Sequence, residues 1–418
     1  MALFALGTYD APDYLLELKP VWSAVSAHHG FFAALPIGYP GAALLAAVAG
    51  VPAALVGLGE AATWRVVSCF GLLVIGLGLV SALGPLLRRA TWVQIICLIG
   101  LAMLSPQLYW ALRIGHPEES LITGMVIGGA VAAAYGRWGI AGVLIGLAAA
   151  GKSWPVLIAL PLLAVLPTRA AFIKGVFAAG AAFVALLATP ALFAASQLNA
   201  TAHLGNDKIF NVGNFWWFFG TPIDKTVLAQ QVVPQPRISP GWVGQISHPL
   251  IVIACLVIGA AWVGLRYTGS AAAEESTESQ QRAAATGKRW YTGLRPSEPT
   301  LDRLSSAFLI AGGLLVLRCV FDSWTVPYYM FPALVLIGLG ETMSGRYPLI
   351  ALVASGLMYK FNVPGDLILR TNPDHYTAVF LGWVIPTMIT LIAMGLATAR
   401  AKPQPEPEPV APPVLATA

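Results

Sequence analysis

The amino-acid sequence predicts an all-α polytopic membrane protein, a transmembrane bundle of about 10–12 helices. Hydrophobic residues make up 57% of the 418 residues and charged residues only 10%, and the mean hydropathy is +0.73. A soluble domain carries about 25% charged residues. The net charge of +5 does not indicate nucleic-acid binding, because basic residues stand singly or in pairs at the ends of apolar runs, where they set topology.

The first segment, residues 1–38, is polar and contains one predicted amphipathic helix. Pro12 suits a first helical turn, and the apolar residues after it recur at helical spacing, so we expect this helix to lie on the membrane surface. The apolar run 39–59 follows and is interrupted by Pro52. It is a span, a re-entrant segment or an in-plane helix.

Nine further apolar runs are long enough to be predicted as spans. They lie near 66–87, 91–111, 120–135, 175–195, 249–267, 304–320, 327–343, 347–363 and 376–397. Arg88 and Arg89 close the first of these runs and Arg137 closes the third, so positive-inside reasoning places both sites in the cytoplasm. The turn 115–119, between the second and third runs, is then outside.

Two shorter apolar pieces, 139–151 and 154–167, flank Lys152. Neither alone comfortably crosses the ~30 Å hydrocarbon core. We therefore predict a hairpin of half-helices with Lys152 at its tip. The alternative is a single kinked helix.

Five short motifs stand in a fixed order along the chain. They are Tyr39-Pro40, the turn from His116 to Glu119, the stretch from Gly146 to Trp154, the stretch from Asn214 to Trp217 and the stretch from Arg318 to Tyr329. Together they resemble family 87 glycosyltransferases, which are actinobacterial membrane enzymes of the GT-C fold that use polyprenyl-phosphate sugars. The resemblance covers most of residues 1–360, implies a GT-C-like bundle and favours an in-plane or re-entrant segment at 39–59.

The apolar pattern and this resemblance together predict five regions along the chain. They are an extracytoplasmic loop at 1–38, an N-terminal transmembrane catalytic module at 39–267 with an outer loop at 196–248, a disordered cytoplasmic loop at 268–303, C-terminal transmembrane helices at 304–397 and a disordered Pro/Glu-rich tail at 398–418.

The resemblance implies a catalytic aspartate in the first loop, where Asp10 and Asp13 are the candidates, with Asp10 ahead. Removing the proton of an acceptor hydroxyl needs such a carboxylate. Both residues also suit a helix start, Asp10 as N-cap and Asp13 as a first-turn carboxylate. Tyr39 is assigned to substrate binding. Family members have a helix before this loop that this sequence lacks, so we expect an in-frame apolar stretch of ~20 codons upstream of Met1.

Ionisable residues between apolar runs are costly unless they line a wet cavity, which makes them the other candidates. His116 and Glu118 are assigned as catalytic, either orienting the acceptor or acting as a second acid/base pair. The alternative is an ordinary helix start, because Pro117 followed by two glutamates suits the helix dipole. Glu119 is assigned to substrate binding and is expected on another face, since adjacent residues do not share one helix face.

Lys152 and Arg318 are the candidates for contacting the donor phosphate, the lysine as a point charge and the arginine bidentately. Asp322 stands one turn after Arg318 as a possible partner. The alternatives are snorkelling to the interface and a purely structural ion pair. Aromatic residues are further candidates for substrate binding, although the default position of most of them is the interfacial belt. They are Trp154, Trp216, Trp217, Tyr328 and Tyr329.

The predicted function is an inverting transfer of a sugar from a polyprenyl-phosphate donor to a glycolipid or cell-envelope acceptor at the outer face of the plasma membrane. Mannose is the leading candidate for the sugar. The expected partners are these two substrates and the bilayer. No cofactor and no metal are expected, because neither the acidic residues and histidines nor the four scattered cysteines show ligand spacing. The alternative function is a lipid-linked-sugar flippase or other secondary transporter, which also uses half-helices and buried charge. A transporter is expected to show a repeat between its halves, whereas the polar loops here are unequal.

Overall fold

The computed structural model describes residues 18–28, 30–35, 40–193, 195, 209–210, 213–222, 237–268, 296–322, 327–362 and 372–400. Its helices are α1 (Lys19–Ser26), α2 (Pro40–Leu55), α3 (Glu60–Leu87), α4 (Trp92–Leu104), α5 (Pro106–Ile114), α6 (Glu118–Ala134), α7 (Trp138–Gly151), α8 (Trp154–Leu163), α9 (Arg169–Phe193), α10 (Gly241–Thr268), α11 (Glu298–Phe321), α12 (Phe331–Met343), α13 (Leu349–Asn362) and α14 (Pro373–Arg400). Three short strands, β1 (Ile209–Phe210), β2 (Thr221–Pro222) and β3 (Arg237–Ile238), pair antiparallel in the order β1-β3-β2. Single 3-10 turns occupy Phe32–Ala34, Phe215–Phe219 and Pro327–Met330.

Six helical stretches of the described chain are long and apolar enough to cross a membrane, namely α3, the pair α4–α5, α9, α10, α11 and α14. Helix α11 is the centre of the bundle, because 89% of its most apolar window is buried. Helix α9 lies at the edge, with 11% of its window buried, and its exposed apolar surface suits contact with lipid. The predicted all-α, GT-C-like membrane bundle is confirmed.

Polar contacts define two ends of the bundle. At one, the basic end, Arg89 Nε donates to Glu298 Oε2 at 2.9 Å, and Arg89 also pairs with Asp302. Burial disfavours the charge of Arg89, but the two carboxylates outweigh it and raise the pKa of the guanidinium above its ordinary value. At the same end, Arg266 Nη2 donates to the carbonyl of Pro167 at 3.1 Å. The opposite end holds the predicted site residues, and we call it the site end.

Several helices begin earlier than the apolar pattern predicts. Helix α11 starts at Glu298, inside the segment 268–303 that we predicted to be disordered, and Ser297 Oγ caps it by accepting from Thr300 N at 3.4 Å. Helix α10 starts at Gly241 and contains Pro249, where the predicted span begins. In α11 a capped, polar first turn satisfies the helix terminus outside the apolar span, so hydropathy alone misses it.

The predicted span 91–111 is two helices. Ser105 ends α4 and caps α5, with its Oγ accepting from Leu108 N at 3.3 Å, and Pro106 occupies the first turn. Proline suits a first helical turn but disfavours helix at the residue before it. Gly115 then ends α5 with φ of 116°, a left-handed conformation that favours glycine.

Helix α2 connects the hairpin tip to the start of α3. At its start, a Cβ on Gly41 would lie 2.0 Å from the carbonyl oxygen of Ala150, which belongs to the site end of α7. At its other end, the chain passes within a few residues to Glu60, the first residue of α3, which also begins at the site end and pairs with Lys19 of α1 at 2.6 Å. The expectation of an in-plane or re-entrant segment at 39–59 stays a prediction.

Helices α7 and α8 form a hairpin. A Cβ on Gly175 would lie 3.7 Å from the carbonyl oxygen of Trp138, at the start of α7, and 2.8 Å from Leu166 Cδ1, just after α8. The start of α7 and the end of α8, which lie away from the tip, are therefore neighbours. This excludes a single kinked helix. Lys152, with extended backbone, lies at the tip as predicted.

Candidate functional site

The turn from Gly115 to Glu119 brings two carboxylates to the start of a buried helix. Pro117 is the N-cap of α6, and Glu118 and Glu119 form its first turn. Each glutamate is only 2% exposed. Negative charge is favourable at a helix N-terminus, where backbone N–H groups are unsatisfied. Local structure therefore supports burying these carboxylates, but a buried pair also needs compensation by positive charge.

Lys152 supplies that compensation from the hairpin tip. Its Nζ lies 2.9 Å from Glu118 Oε1 and 3.3 Å from Glu119 Oε1. The expectation that the two glutamates act on separate faces is wrong, because the lysine lies over the helix terminus, where both first-turn side chains reach it. Trp154 Nε1 donates to Glu119 Oε2 at 3.2 Å, so this buried indole positions a carboxylate.

His116 completes this cluster, which we call the carboxylate cluster (His116, Glu118, Glu119, Lys152 and Trp154). His116 Nδ1 lies 2.7 Å from Glu118 Oε1. Glu118 Oε1 thus faces both the histidine and the lysine. Its other oxygen, Oε2, is buried and has no hydrogen-bond partner in the described part of the chain.

Arg318 and Asp322 form a second group at the end of α11. Arg318 Nε lies 3.6 Å from Asp322 Oδ2, and the guanidinium covers the ring of Tyr329 at 4.9 Å. Its terminal nitrogens donate no hydrogen bond to any residue that the structure describes. The contacts of Nε with Asp322 and of the guanidinium plane with Tyr329 therefore orient the side chain. Its terminal nitrogens, Nη1 and Nη2, are available to an anion.

His248 is a residue of this second group that sequence reasoning missed. Its Nε2 lies 3.1 Å from Asp322 Oδ1. The available signal was the His248-Pro249 pair, which repeats His116-Pro117 at the start of an apolar run. We call Arg318, Asp322 and His248 the arginine group.

Tyr328 and Tyr329 join the two groups. The rings of His116 and Tyr328 stack at 4.8 Å with planes 24° apart. Tyr328 in turn meets Tyr329 edge to face at 4.9 Å, and Tyr329 lies under Arg318. Tyr328 is 4% exposed, so it lies inside the bundle rather than in an interfacial belt. The carboxylate cluster and the arginine group therefore belong to one site.

Trp216 and Trp217 attach the outer loop to this site. Trp216 Nε1 donates to the carbonyl of Phe321 at 2.6 Å, and Trp217 Nε1 donates to Asp374 Oδ1 at 2.7 Å. Their exposed fractions are 4% and 0%. Neither an interfacial belt nor a sugar-stacking surface matches this burial. Asn214 adds a hydrogen bond to the carbonyl of Asp322, so the loop fixes the end of α11.

Three predicted site residues, Asp10, Asp13 and Tyr39, lie outside the described residues. In the described part, no group of three or more His, Cys, Asp or Glu residues is arranged to hold a metal ion.

One comparison with known proteins identifies a family. A family model described as glycosyltransferase family 87 matches residues 39–277, which is more than half of the chain. The matched range contains the carboxylate cluster, Trp216, Trp217 and His248, while Arg318 and the two tyrosines follow it. No curated protein matches the chain.

Proposed function

Because the chain belongs to glycosyltransferase family 87 and is a multi-pass membrane protein, we propose that it moves mannose from a polyprenyl-phosphate donor to a glycolipid or cell-envelope acceptor at the outer face of the plasma membrane. The observation that carries this proposal is the pairing, in one buried site, of a carboxylate cluster with an arginine whose terminal nitrogens are available. A sugar attached to a lipid phosphate presents hydroxyls to the carboxylate cluster and an anionic phosphate to the arginine.

Arg318 is the proposed phosphate ligand. Transfer breaks the bond between the anomeric carbon and the phosphate oxygen, and the electron pair leaves on the lipid phosphate. Developing negative charge is stabilised by donors that are already oriented. The contacts with Asp322 and Tyr329 orient Arg318 before substrate arrives.

Lys152 has a different proposed role from the one its sequence position suggests. Its Nζ contacts two buried carboxylates, and their negative charge largely compensates the positive charge of the lysine within the cluster. We assign it to positioning Glu118 and Glu119 rather than to the phosphate. Glu118 Oε2, which lacks a partner in the described chain, is the proposed acceptor for a substrate hydroxyl.

The acceptor hydroxyl oxygen forms the new bond to the anomeric carbon, and its proton passes to a carboxylate base. The proposed base is Asp10 or Asp13, in the loop that resembles the catalytic loop of the family. A single displacement of this kind inverts the anomeric configuration. The proposed chemistry uses carboxylates and an arginine, with no resident metal or cofactor assigned a step.

The test is transfer of label. Membranes containing the protein are incubated with radiolabelled polyprenyl-phosphate mannose and extracted lipids, and the products are separated by chromatography. The expected result is a labelled glycolipid or glycan that forms only with the protein present. Movement of the labelled donor across vesicles without any new product would instead support the transporter alternative.

A further inference from the structure

The first turn of α14 presents a carboxylate to the outer loop. Asp374 Oδ1 accepts a hydrogen bond from Trp217 Nε1 at 2.7 Å and another from Arg237 Nη2 at 2.8 Å. The guanidinium of Arg237 also covers the ring of Trp217 at 4.8 Å. Asp374, Arg237 and Trp217 therefore contact one another pairwise, and we call these three residues the outer-loop clasp.

Asp374 is not needed to cap its own helix. Asn372 Oδ1 accepts from the backbone N–H of His375 at 3.1 Å and so caps α14. The side chain of Asp374 is 54% exposed, and an exposed ion pair by itself contributes little to stability. Trp217 is fully buried, however, and a buried indole N–H needs an acceptor. The main effect of the Asp374 carboxylate is therefore on the position of this tryptophan.

A second contact attaches the outer loop to α14. The backbone N–H of Gly213 donates to Thr377 Oγ1 at 3.1 Å, and Thr377, one turn after Asp374, is fully buried. Gly213 has φ of 81°, a left-handed conformation that favours glycine. The segment 213–217 is therefore fixed to α14 at both of its ends.

Between these two ends the same segment holds the C-terminus of α11. Asn214 Nδ2 donates to the carbonyl of Asp322, and Trp216 Nε1 donates to the carbonyl of Phe321 at 2.6 Å. Asn214 Oδ1 also accepts from the backbone N–H of Trp216 at 2.7 Å, which fixes the two donors relative to each other. The last carbonyls of a helix have no partner within that helix. The segment 213–217 supplies donors to two of them.

The path of the chain at the end of α11 determines where the carboxylate of Asp322 lies. The backbone of Asp322 is extended, so the chain leaves the helix at this residue. The carboxylate of Asp322 lies 3.6 Å from Arg318 Nε and orients the guanidinium. An unbroken series of contacts therefore runs from Asp374 through Trp217 and the segment 213–217 to Asp322 and Arg318.

We propose that Asp374 is a positioning residue for the donor phosphate, an inference that rests on the proposed function. Asp374 holds Trp217, and the segment 213–217 transmits that position to the end of α11. Arg318 is thereby kept in the orientation that binds the phosphate. Loss of the Asp374 carboxylate should weaken donor binding although every group proposed to contact the donor is still present.

The first measurement is the KM for radiolabelled polyprenyl-phosphate mannose. We expect Asp374→Ala to raise this KM about tenfold, within the usual range of coupling in one hydrogen-bond network. Asp374→Asn keeps an acceptor oxygen for the indole N–H of Trp217. Its KM should therefore stay close to that of the wild type.

A double-mutant cycle with Arg318→Lys distinguishes positioning from general destabilisation. If Asp374 acts by orienting the guanidinium, Asp374→Ala should raise the KM by less than about twofold in the Arg318→Lys protein, because coupled residues are not additive. Thermal unfolding in detergent reports whether each variant folds. If Asp374→Ala does not fold, Arg237→Gln takes its place in the cycle, since it removes the same ion pair from the loop side.

The matched control is Glu298→Ala at the opposite end of α11. Glu298 is also a first-turn carboxylate, its side chain is 55% exposed, and it pairs with Arg89, which is as buried as Arg237. Its donor KM should equal that of the wild type. An unchanged KM in Asp374→Ala, an equal rise in Glu298→Ala, or a full tenfold rise in the Arg318→Lys protein would overturn the positioning role. A wild-type protein that forms no labelled product from this donor refutes the proposed function instead, so the two failures are distinguishable.

Discussion

Glu118 keeps one carboxylate oxygen without a partner in the described chain, although the residue is 2% exposed. A buried polar atom without a hydrogen bond costs about 1–3 kcal/mol. Lys152 and His116 already satisfy the other oxygen. The unsatisfied atom therefore argues for a substrate donor at this position.

Glu118→Gln should lower transfer about 10–100-fold, because a hydrogen bond from a substrate hydroxyl to a charged carboxylate contributes about 1.5–3 kcal/mol. Glutamine keeps the shape of the residue, and Lys152 retains Glu119 as a counter-charge, so the protein should still fold. The measurement is the initial transfer rate per folded protein. A wild-type rate would remove Glu118 from the chemistry.

Glu341→Gln is the matched control. Glu341 is a second buried glutamate, and its oxygens accept from the backbone N–H groups of Ile350 at 2.9 Å and Ala351 at 3.2 Å. Its role is to hold the start of α13. The substitution should reduce thermal stability and leave the rate per folded protein unchanged.

Arg318→Lys should raise the KM for the donor by about 10–100-fold, since hydrogen bonds to charged groups contribute about 1.5–3 kcal/mol. Lysine keeps the positive charge but lacks the fork and the flat face that lies over Tyr329. Steady-state kinetics with varied donor measures the effect. Arg113→Lys, which changes an arginine over Trp110 on α5, is the control. Equal KM values for the two variants would contradict the assignment of Arg318 to the phosphate.

At the scale of elements, hydropathy predicted which segments are helical but not how closely the helices pack against one another. The hairpin tip at Lys152 was predictable, because two apolar pieces are each too short to cross the membrane. The polar first turn of α11 was not, because capping adds length that hydropathy does not register. His248 was missed because its partner, Asp322, is distant in sequence and only the folded bundle brings them together.

Close approach of α2 to the hairpin depends on Gly41. A Cβ at this position would lie 2.0 Å from the carbonyl oxygen of Ala150, two residues before Lys152. Backbone cannot yield as a flexible side chain does, so any larger residue displaces α2 or the tip. The position of α2 therefore controls the position of Lys152.

Gly41→Ala should destabilise the protein by about 1–3 kcal/mol, the usual cost of overpacking, and should also lower transfer. Thermal unfolding in detergent and the transfer assay measure the two effects. Gly76→Ala on α3 is the control, because a Cβ there meets nothing within 4 Å and alanine favours helix. A Gly41→Ala protein as stable as wild type would show that α2 does not pack on the tip.

At the scale of the whole molecule, ionisable residues are separated by role between the two ends. At the basic end, Arg88 and Arg89 bind Glu298, which is exposed and structural. At the site end, the buried Glu118 pairs with Lys152, whose side chain is 11% exposed, and both adjoin the proposed substrate site. This asymmetry fits an enzyme whose lipid substrates are used on one face of the membrane.

The orientation of the bundle follows from the same asymmetry, because basic loops remain in the cytoplasm. The test uses a variant whose four cysteines are replaced by alanine, with one new cysteine at an exposed position of each end. Thr221→Cys, in β2 at the site end, should react with a membrane-impermeant maleimide in intact cells. Ser344→Cys, after α12 at the basic end, should react only after the membrane is permeabilised. Labelling of Ser344→Cys alone in intact cells would show that the site end does not face outward and would contradict transfer on the outer face.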